Sequence, residues 1–245
     1  MQINLNKQKI FIISLLFTLV MPLSAEKILF SANRMTGQAG NTNTTTTLSG
    51  NAYIKTETME IQADDVELSG ENYRYIKSTG NISGKNLEAH MEFTCDSLEY
   101  DRITKVAVLK GNVKLTDTDN DVQAEAQIIE YNQDTEVAVL QIQIRLTQKD
   151  NICSGSYAVY YKKTQILDIS GNAQVKQDDD IFRAQQITLD MNTQDITLGG
   201  NVKGKVTDVK ESKQDSQADY DDSEDEEESE TDEEEAAEGV VKYGE

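Results

Sequence analysis

The 245-residue sequence predicts an all-β fold: a half-open, V-shaped stack of two-strand repeats with a period near 30 residues. Three observations carry this. The dipeptide Gly-Asn recurs at Gly50-Asn51, Gly80-Asn81, Gly111-Asn112, Gly171-Asn172 and Gly200-Asn201. Apolar and polar residues alternate with period two around each copy, the pattern of a half-buried strand. No proline follows Pro22, so nothing in the remaining chain breaks a strand ladder.

The Gly-Asn copies are spaced 30, 31, 60 and 29 residues apart. The double interval hides a sixth copy. Val106-Ala107-Val108-Leu109 before Gly111 returns as Val137-Ala138-Val139-Leu140, followed by Ile142-Gln143 in place of Gly-Asn. A fixed internal period of this size is the signature of a repeat architecture.

Each copy holds two strand-like stretches. The first runs through Gly-Asn, with Ala107, Leu109, Gly111, Val113 and Leu115 on one face and Lys110, Asn112 and Lys114 on the other. The same column returns as Ala138, Leu140, Ile142, Ile144, Leu146 and as Leu167, Ile169, Gly171, Ala173, Val175. The phase places Gly111, Gly171 and Ile142 inward. An inward residue without a side chain marks a bend or a close backbone approach; a plain hairpin turn fits less well, because the alternation continues in phase. The second stretch reads Ile61, Ala63, then Val66, Leu68; later Phe93, Cys95, then Leu98, Tyr100; and Phe182, Ala184, then Ile187, Leu189. Ile76, Ala126 and Ile129 extend these columns. The step of three flips the phase, and a slip repeated at one point implies a bulge or corner in every copy. One copy cannot bury its apolar face alone, but a stack can. About eleven strands at ~4.8 Å spacing give a trough roughly 50 Å long. The inward Ala63, Ala107, Ala126, Ala138, Ala173 and Ala184 suggest room inside it.

Residues 1–25 read as a secretory signal: Lys7 and Lys9, an apolar run Ile10 to Val20, and the small-residue ending Leu23-Ser24-Ala25. Eleven apolar residues fall short of the roughly 20 that span a bilayer; the alternative is an uncleaved anchor. The repeat domain is expected over 26–210, interrupted by a Thr-rich loop from Asn41 to Thr47. Residues 211–245 hold 17 acidic and 2 basic residues, −15 of the total −21, which leaves −6 for residues 1–210. Such a tail is expected to be disordered, either a solvated appendage or a contact for a basic partner. Neither part has the basic stripe that nucleic-acid binding requires.

Nothing reads as an active site. His90 is the single histidine, and no nucleophile elbow, phosphate-cradling glycine loop or Cys-x-x-Cys is present. No enzyme activity, cofactor or metal is expected. Cys95 and Cys153 fall about four strands apart, roughly 19 Å, where a disulfide needs about 7 Å or less. Both read as small buried apolar groups.

The stretches Leu109-Lys110-Gly111-Asn112-Val113, Leu198-Gly199-Gly200-Asn201-Val202 and Ile61-Gln62-Ala63-Asp64-Asp65-Val66 resemble the OstA-like family over residues 28–207. That family includes the periplasmic lipopolysaccharide-transport bridge LptA, its membrane-anchored neighbour LptC and the periplasmic part of the translocon LptD. The resemblance implies an antiparallel β-jelly-roll, where periodicity alone leaves a parallel β-helix open. It also implies a groove for the acyl chains of lipopolysaccharide or a similar glycolipid. The lining would be Ile61, Ala63, Ile76, Phe93, Cys95, Leu98, Ala107, Leu109, Val113 and Leu115 in the first half. In the second it would be Ala126, Ile129, Ala138, Leu140, Ile144, Leu167, Ile169, Val175, Phe182, Ala184 and Ile187. Head-to-tail joining is implied at edges carrying Ile28, Phe30 and Ala32, and Val202 and Val206. The implied partners are an inner-membrane LptC-like protein, an outer-membrane LptD-like translocon, or further copies of the chain, placing it in the periplasm. Ile142-Gln143 and the acidic tail depart from the family pattern. The competing reading is a structural or adhesive β-solenoid with a dry core and no ligand.

Overall fold

Period-two alternation joined by short polar turns gives each strand its sequence neighbours as partners. In the computed structural model, which describes residues 27–37 and 45–207, the chain forms fourteen strands in one sheet. They are β1 (Leu29–Ser31), β2 (Arg34–Thr36), β3 (Thr46–Lys55), β4 (Met59–Ser69), β5 (Tyr75–Asn86), β6 (Met91–Asp101) and β7 (Val106–Asp117). They continue as β8 (Val122–Asn132), β9 (Val137–Gln148), β10 (Asn151–Tyr161), β11 (Ile166–Gln177), β12 (Asp180–Asp190), β13 (Ile196–Gly199) and β14 (Lys203–Lys205). Every pairing is antiparallel, and from β3 to β13 each strand pairs with its neighbours along the chain, which rules out the parallel β-helix. The order is β1-β3-β4 and onward to β13, and the sheet does not close. β1 and β2 pair with the two halves of β3, and β13 and β14 with the two halves of β12. Each edge is therefore one bent strand cut at its corner.

The corner is a paired backbone device. Between β7 and β8 the register jumps from Lys110↔Ile128 to Val113↔Ala126, so Gly111 and Asn112 oppose the single Gln127. Both residues take positive φ, 78° and 46°. The same pair of conformations recurs at Gly50-Asn51, Gly80-Asn81, Gly171-Asn172 and Gly200-Asn201, and also at Ile142-Gln143, with φ of 66° and 55°. Two successive left-handed residues turn the chain through the bulge without ending the strand. A Cβ on Gly111 would lie 2.9 Å from Cβ of Asp96 on β6. The aspartate in turn fixes the corner: Asn112 Nδ2 donates to Asp96 Oδ2 at 2.9 Å, and Asn81 Nδ2 to Asp64 Oδ2 at 2.8 Å. Aspartate stands opposite these two corners alone: Asn33, Ser156 and Gln185 face Gly50, Gly171 and Gly200, and in the fourth copy Gln127 holds the equivalent place.

The corner corrects two expectations. The glycines are not inward: Gly111 is half-buried and Gly171 exposed. Ile142 is 52% exposed rather than part of the inner column. The left-handed pair rotates the chain outward at that position and returns it inward at Ile144, so the alternation stays in phase while the corner residue leaves the core. The Thr-rich loop is also shorter than expected, since Thr46 and Thr47 belong to β3; residues 38–44 lie outside the described residues, as do the expected signal at 1–25 and the acidic tail at 211–245.

Gly111→Ala is expected to lower unfolding free energy by about 1–3 kcal/mol, the cost of a side chain in a strained left-handed position. Ile142→Ala, where a Cβ is already accommodated, should cost less than about 1 kcal/mol. Urea unfolding midpoints of the two variants check this.

Candidate functional site

Because each strand bends at its middle, the two halves of the sheet face each other. The inward residues of every strand meet between them. In β7 these are Ala107, Leu109, Val113 and Leu115; in β8, Ala124, Ala126, Ile129 and Tyr131; in β11, Leu167, Ile169, Ala173 and Val175. They form one continuous cluster with the inward residues of β3 to β12. All the residues expected to line the interior are buried except Phe182, which is half-buried beside edge strand β14. The inward alanines are buried as well. At 8% exposure or less they have no solvent-accessible room beside them, contrary to the expectation from residue size. On β5, Gly84 pairs with Phe93, whose ring fills the space above it.

The bent strands place their hairpin loops along two rims, one on each side of the mouth. One rim carries the loops after β4, β6, β8, β10 and β12; the other carries those after β3, β5, β7, β9 and β11. Within a rim, successive loops are tied by backbone bonds. On the first, Arg102 N–H donates to Arg74 O at 3.0 Å, Gln133 to Lys105 at 3.1 Å, Lys162 to Glu136 at 3.0 Å and Met191 to Gln165 at 2.9 Å. On the second, Leu87 donates to Thr58 at 2.8 Å and Thr118 to His90 at 3.0 Å.

Across the mouth, side chains make the bonds. Gln133 donates to Glu88, Gln165 to Asn120, and Asn151 to Gln194. At the centre, Lys162 Nζ lies 2.6 Å from Asp117 Oδ1 and 3.1 Å from Asp119 Oδ2. Tyr160 OH donates to Asp117 Oδ2 at 3.1 Å. Asp117 also accepts from its own loop: the Asp119 and Asn120 N–H groups at 3.1 and 3.3 Å, and Asn120 Nδ2 at 2.8 Å. The Asp117 side chain is fully buried and that of Lys162 is 8% exposed. Removing one partner of such a pair costs about 3–5 kcal/mol. Burial and the Asp117 charge push the Tyr160 phenol up, keeping it a neutral donor. Lys162 holds the Asp119 carboxyl below its ordinary range, with help from His90, whose Nδ1 lies 2.9 Å away. His90 is thus an exposed member of the rim network. Sequence reasoning missed this seam, whose only trace is the polar or charged residues at strand ends where the alternation calls for apolar ones.

Next to the seam a cavity of about 510 Å³ opens at the mouth between Thr58, Leu87 and Glu88 on one rim and Tyr100, Arg102 and Lys105 on the other. Close by, Tyr131 Oη and Gln133 Oε1 are buried without a hydrogen-bond partner. Among the described residues no group of three or more His, Cys, Asp or Glu is placed to hold a metal ion.

At the two ends of the sheet, β1 and β2 pair only with β3, and β13 and β14 only with β12. Phe30 is 43% exposed on the first edge and Val202 52% exposed at the second; Val206 is exposed, while Ile28 and Ala32 are half-buried.

Sequence comparison matches the family described as LptA/(LptD N-terminal domain) LPS transport protein, over residues 31–166 and again over 92–195. The chain belongs to this family. The two matches begin 61 residues apart, which is two repeats, so the LptA/LptD pattern fits this array in more than one frame. Among solved structures, the chain is similar to LptH of Pseudomonas aeruginosa, the LptA-homologous periplasmic component of its lipopolysaccharide transport device. The identity is 18% and the TM-score 0.46, over 48% of this chain and 95% of LptH. No curated protein matches the sequence.

Cys95 on β6 and Cys153 on β10 are free and buried among the inward residues of this LptA-like domain. Burial pushes both thiols up to about 12, so neither is thiolate at neutral pH. At pH 8 the folded protein should resist iodoacetamide for hours and take up two labels on addition of denaturant, counted by intact mass.

Proposed function

We propose that this protein is a periplasmic, non-enzymatic lipid-transport component. In this reading it carries lipopolysaccharide or a similar glycolipid towards the outer membrane in its folded-sheet interior. The observation that carries the reading is the unbroken apolar column running through β3 to β12. Twelve bent strands, counting each cut edge as one, extend it over about 55 Å at ~4.8 Å per strand. That exceeds the ~15 Å depth of one leaflet's acyl region and suits a passage better than a pocket for one molecule.

Photo-crosslinking probes at Leu109, Leu140 and Ile169 should label with a lipid A-like amphiphile, and probes at outward Lys110 and Lys114 should not. The dry-solenoid reading has one observation in its favour: the inward side chains are almost wholly buried against each other. It predicts no labelling at any position, and equal labelling on both faces would also sink the transport reading.

The edges supply the partners in this proposal. An unpaired strand edge with exposed apolar side chains is a template for strand addition. The N-terminal edge would meet an inner-membrane LptC-like protein. The C-terminal edge would meet a second copy or an LptD-like translocon. Crosslinks placed at Phe30 and Val202 should trap head-to-tail species whose abundance rises with concentration in sedimentation. Monomers at all concentrations, with no partner captured at either site, would count against the bridge role.

A further inference from the structure

We infer that the Asp117–Lys162 ion pair and the adjoining Asn120–Gln165 bond form a latch. It holds the mouth of the folded sheet shut and parts to let an acyl chain reach the interior. The inference rests on the transport reading above and adds a gate to it.

Four observations converge on this cluster. First, the side chains beneath it, including Leu109, Ile129, Leu140 and Ile169, are at most 2% exposed, so a closed mouth leaves the interior out of reach. Second, the two rims differ from the seam between them. Each rim is a rail of backbone bonds from loop to loop, whereas among the described residues no loop-to-loop backbone bond crosses from one rim to the other. The mouth can open without breaking a ladder, because every bond that spans it has a side chain on at least one end, as where Gln177 Nε2 donates to Gln194 O at 3.3 Å. Third, Asp117 is provided for in both states. Closed, it accepts from Lys162 and Tyr160 on the far rim; open, it keeps three donors from its own loop. Lys162 regains water when the rims part. An element with two satisfied arrangements is what a switch requires. Fourth, the bonds join loops 45 residues apart in sequence, one and a half repeats, at Glu88–Gln133, Asp117–Lys162 and Asn120–Gln165 alike. The latch is therefore a row along the mouth, with its charged member in the middle.

A buried ion pair is a poor way to add stability to an apolar core but a good way to fix one register between two surfaces. Here it closes the two rims in a single alignment and lets go as a unit. The neighbouring Glu88–Gln133 contact leaves Tyr131 Oη and Gln133 Oε1 without partners and borders the open cavity at Leu87 and Tyr100. That marks the end of the row from which parting starts.

The test locks the mouth. Asn120→Cys and Gln165→Cys are introduced together and bridged with a bis-methanethiosulfonate crosslinker, which reductant removes; the buried native thiols stay out of reach. Lipid A bearing a photoreactive acyl chain is the probe, read as covalent adduct on the protein. The bridged protein should take up lipid A at least tenfold more slowly than wild type, and reductant should restore the wild-type rate. Lys162→Met, which leaves Asp117 its own-loop donors, should speed uptake several-fold. Uptake by the bridged protein at the wild-type rate overturns the latch while leaving the transport reading intact. Absence of adduct in wild type and in every variant overturns both. A lipid-free readout accompanies these: maleimide labelling of the interior Cys153 should quicken in Lys162→Met at denaturant concentrations well below its unfolding midpoint. Labelling that begins only at global unfolding counts against the latch.

Discussion

The rest of the structure depends on a backbone constraint repeated six times: two consecutive residues in the left-handed region at the middle of alternate strands. An extended strand cannot turn back over its own face. A bulge holding two left-handed residues lets it bend while the ladder continues on both sides. Glycine supplies the first conformation without steric cost, and asparagine tolerates the second and reaches across to Asp64 or Asp96. Remove the corners and the sheet would be a flat meander with one apolar face in water. With them, each strand buries its own two halves against each other and their neighbours.

That geometry puts two kinds of interaction in different places. The interior is held by non-directional burial, about 1.5–3 kcal/mol for each inward Leu, Ile or Val. The mouth is held by directional bonds between side chains at strand ends. Apolar packing tolerates one aliphatic side chain in place of another of similar volume. The polar seam does not, because its bonds are directional: Lys162 meets Asp117 and Asp119, Gln133 meets Glu88, and Gln165 meets Asn120 on the far rim. Apolar burial and closure thus rest on separate residues, and a change at Lys162 or Gln165 can weaken the seam while the columns around Leu109 and Ile169 keep their packing.

The repeat also explains why the LptA/LptD family pattern fits the chain twice, two repeats apart. Each copy meets only its neighbours in the ladder, so the array can gain or lose copies without changing the corner or the inner column. The fourth copy shows how far one unit can drift. Ile142-Gln143 keeps both left-handed conformations without glycine or asparagine. Five intact corners and the pairing of β8, β9 and β10 impose the bend there, and the side chain that has no place inside is carried on the outer ridge.

The sequence by itself determined the strands, their period and which residues face inward, because alternation is local and burial follows from it. Leu109, Leu140 and Ile169 were legible in this way, as was the phase slip from Ala63 to Val66. So was the presence of a bend at each Gly-Asn, since a side-chain-free residue in the middle of a strand has few other uses. Three things were decided only in three dimensions. The outward turn of Ile142 depends on a pair of φ values that period-two counting cannot register. The close packing of the inner alanines depends on how near the two halves come, which residue size alone leaves undetermined. The seam joins Asp117 to Lys162 and Glu88 to Gln133 across 45 residues of chain. In the sequence these are ordinary turn residues, and they become partners only because the folded sheet brings the ends of non-adjacent strands together over its mouth.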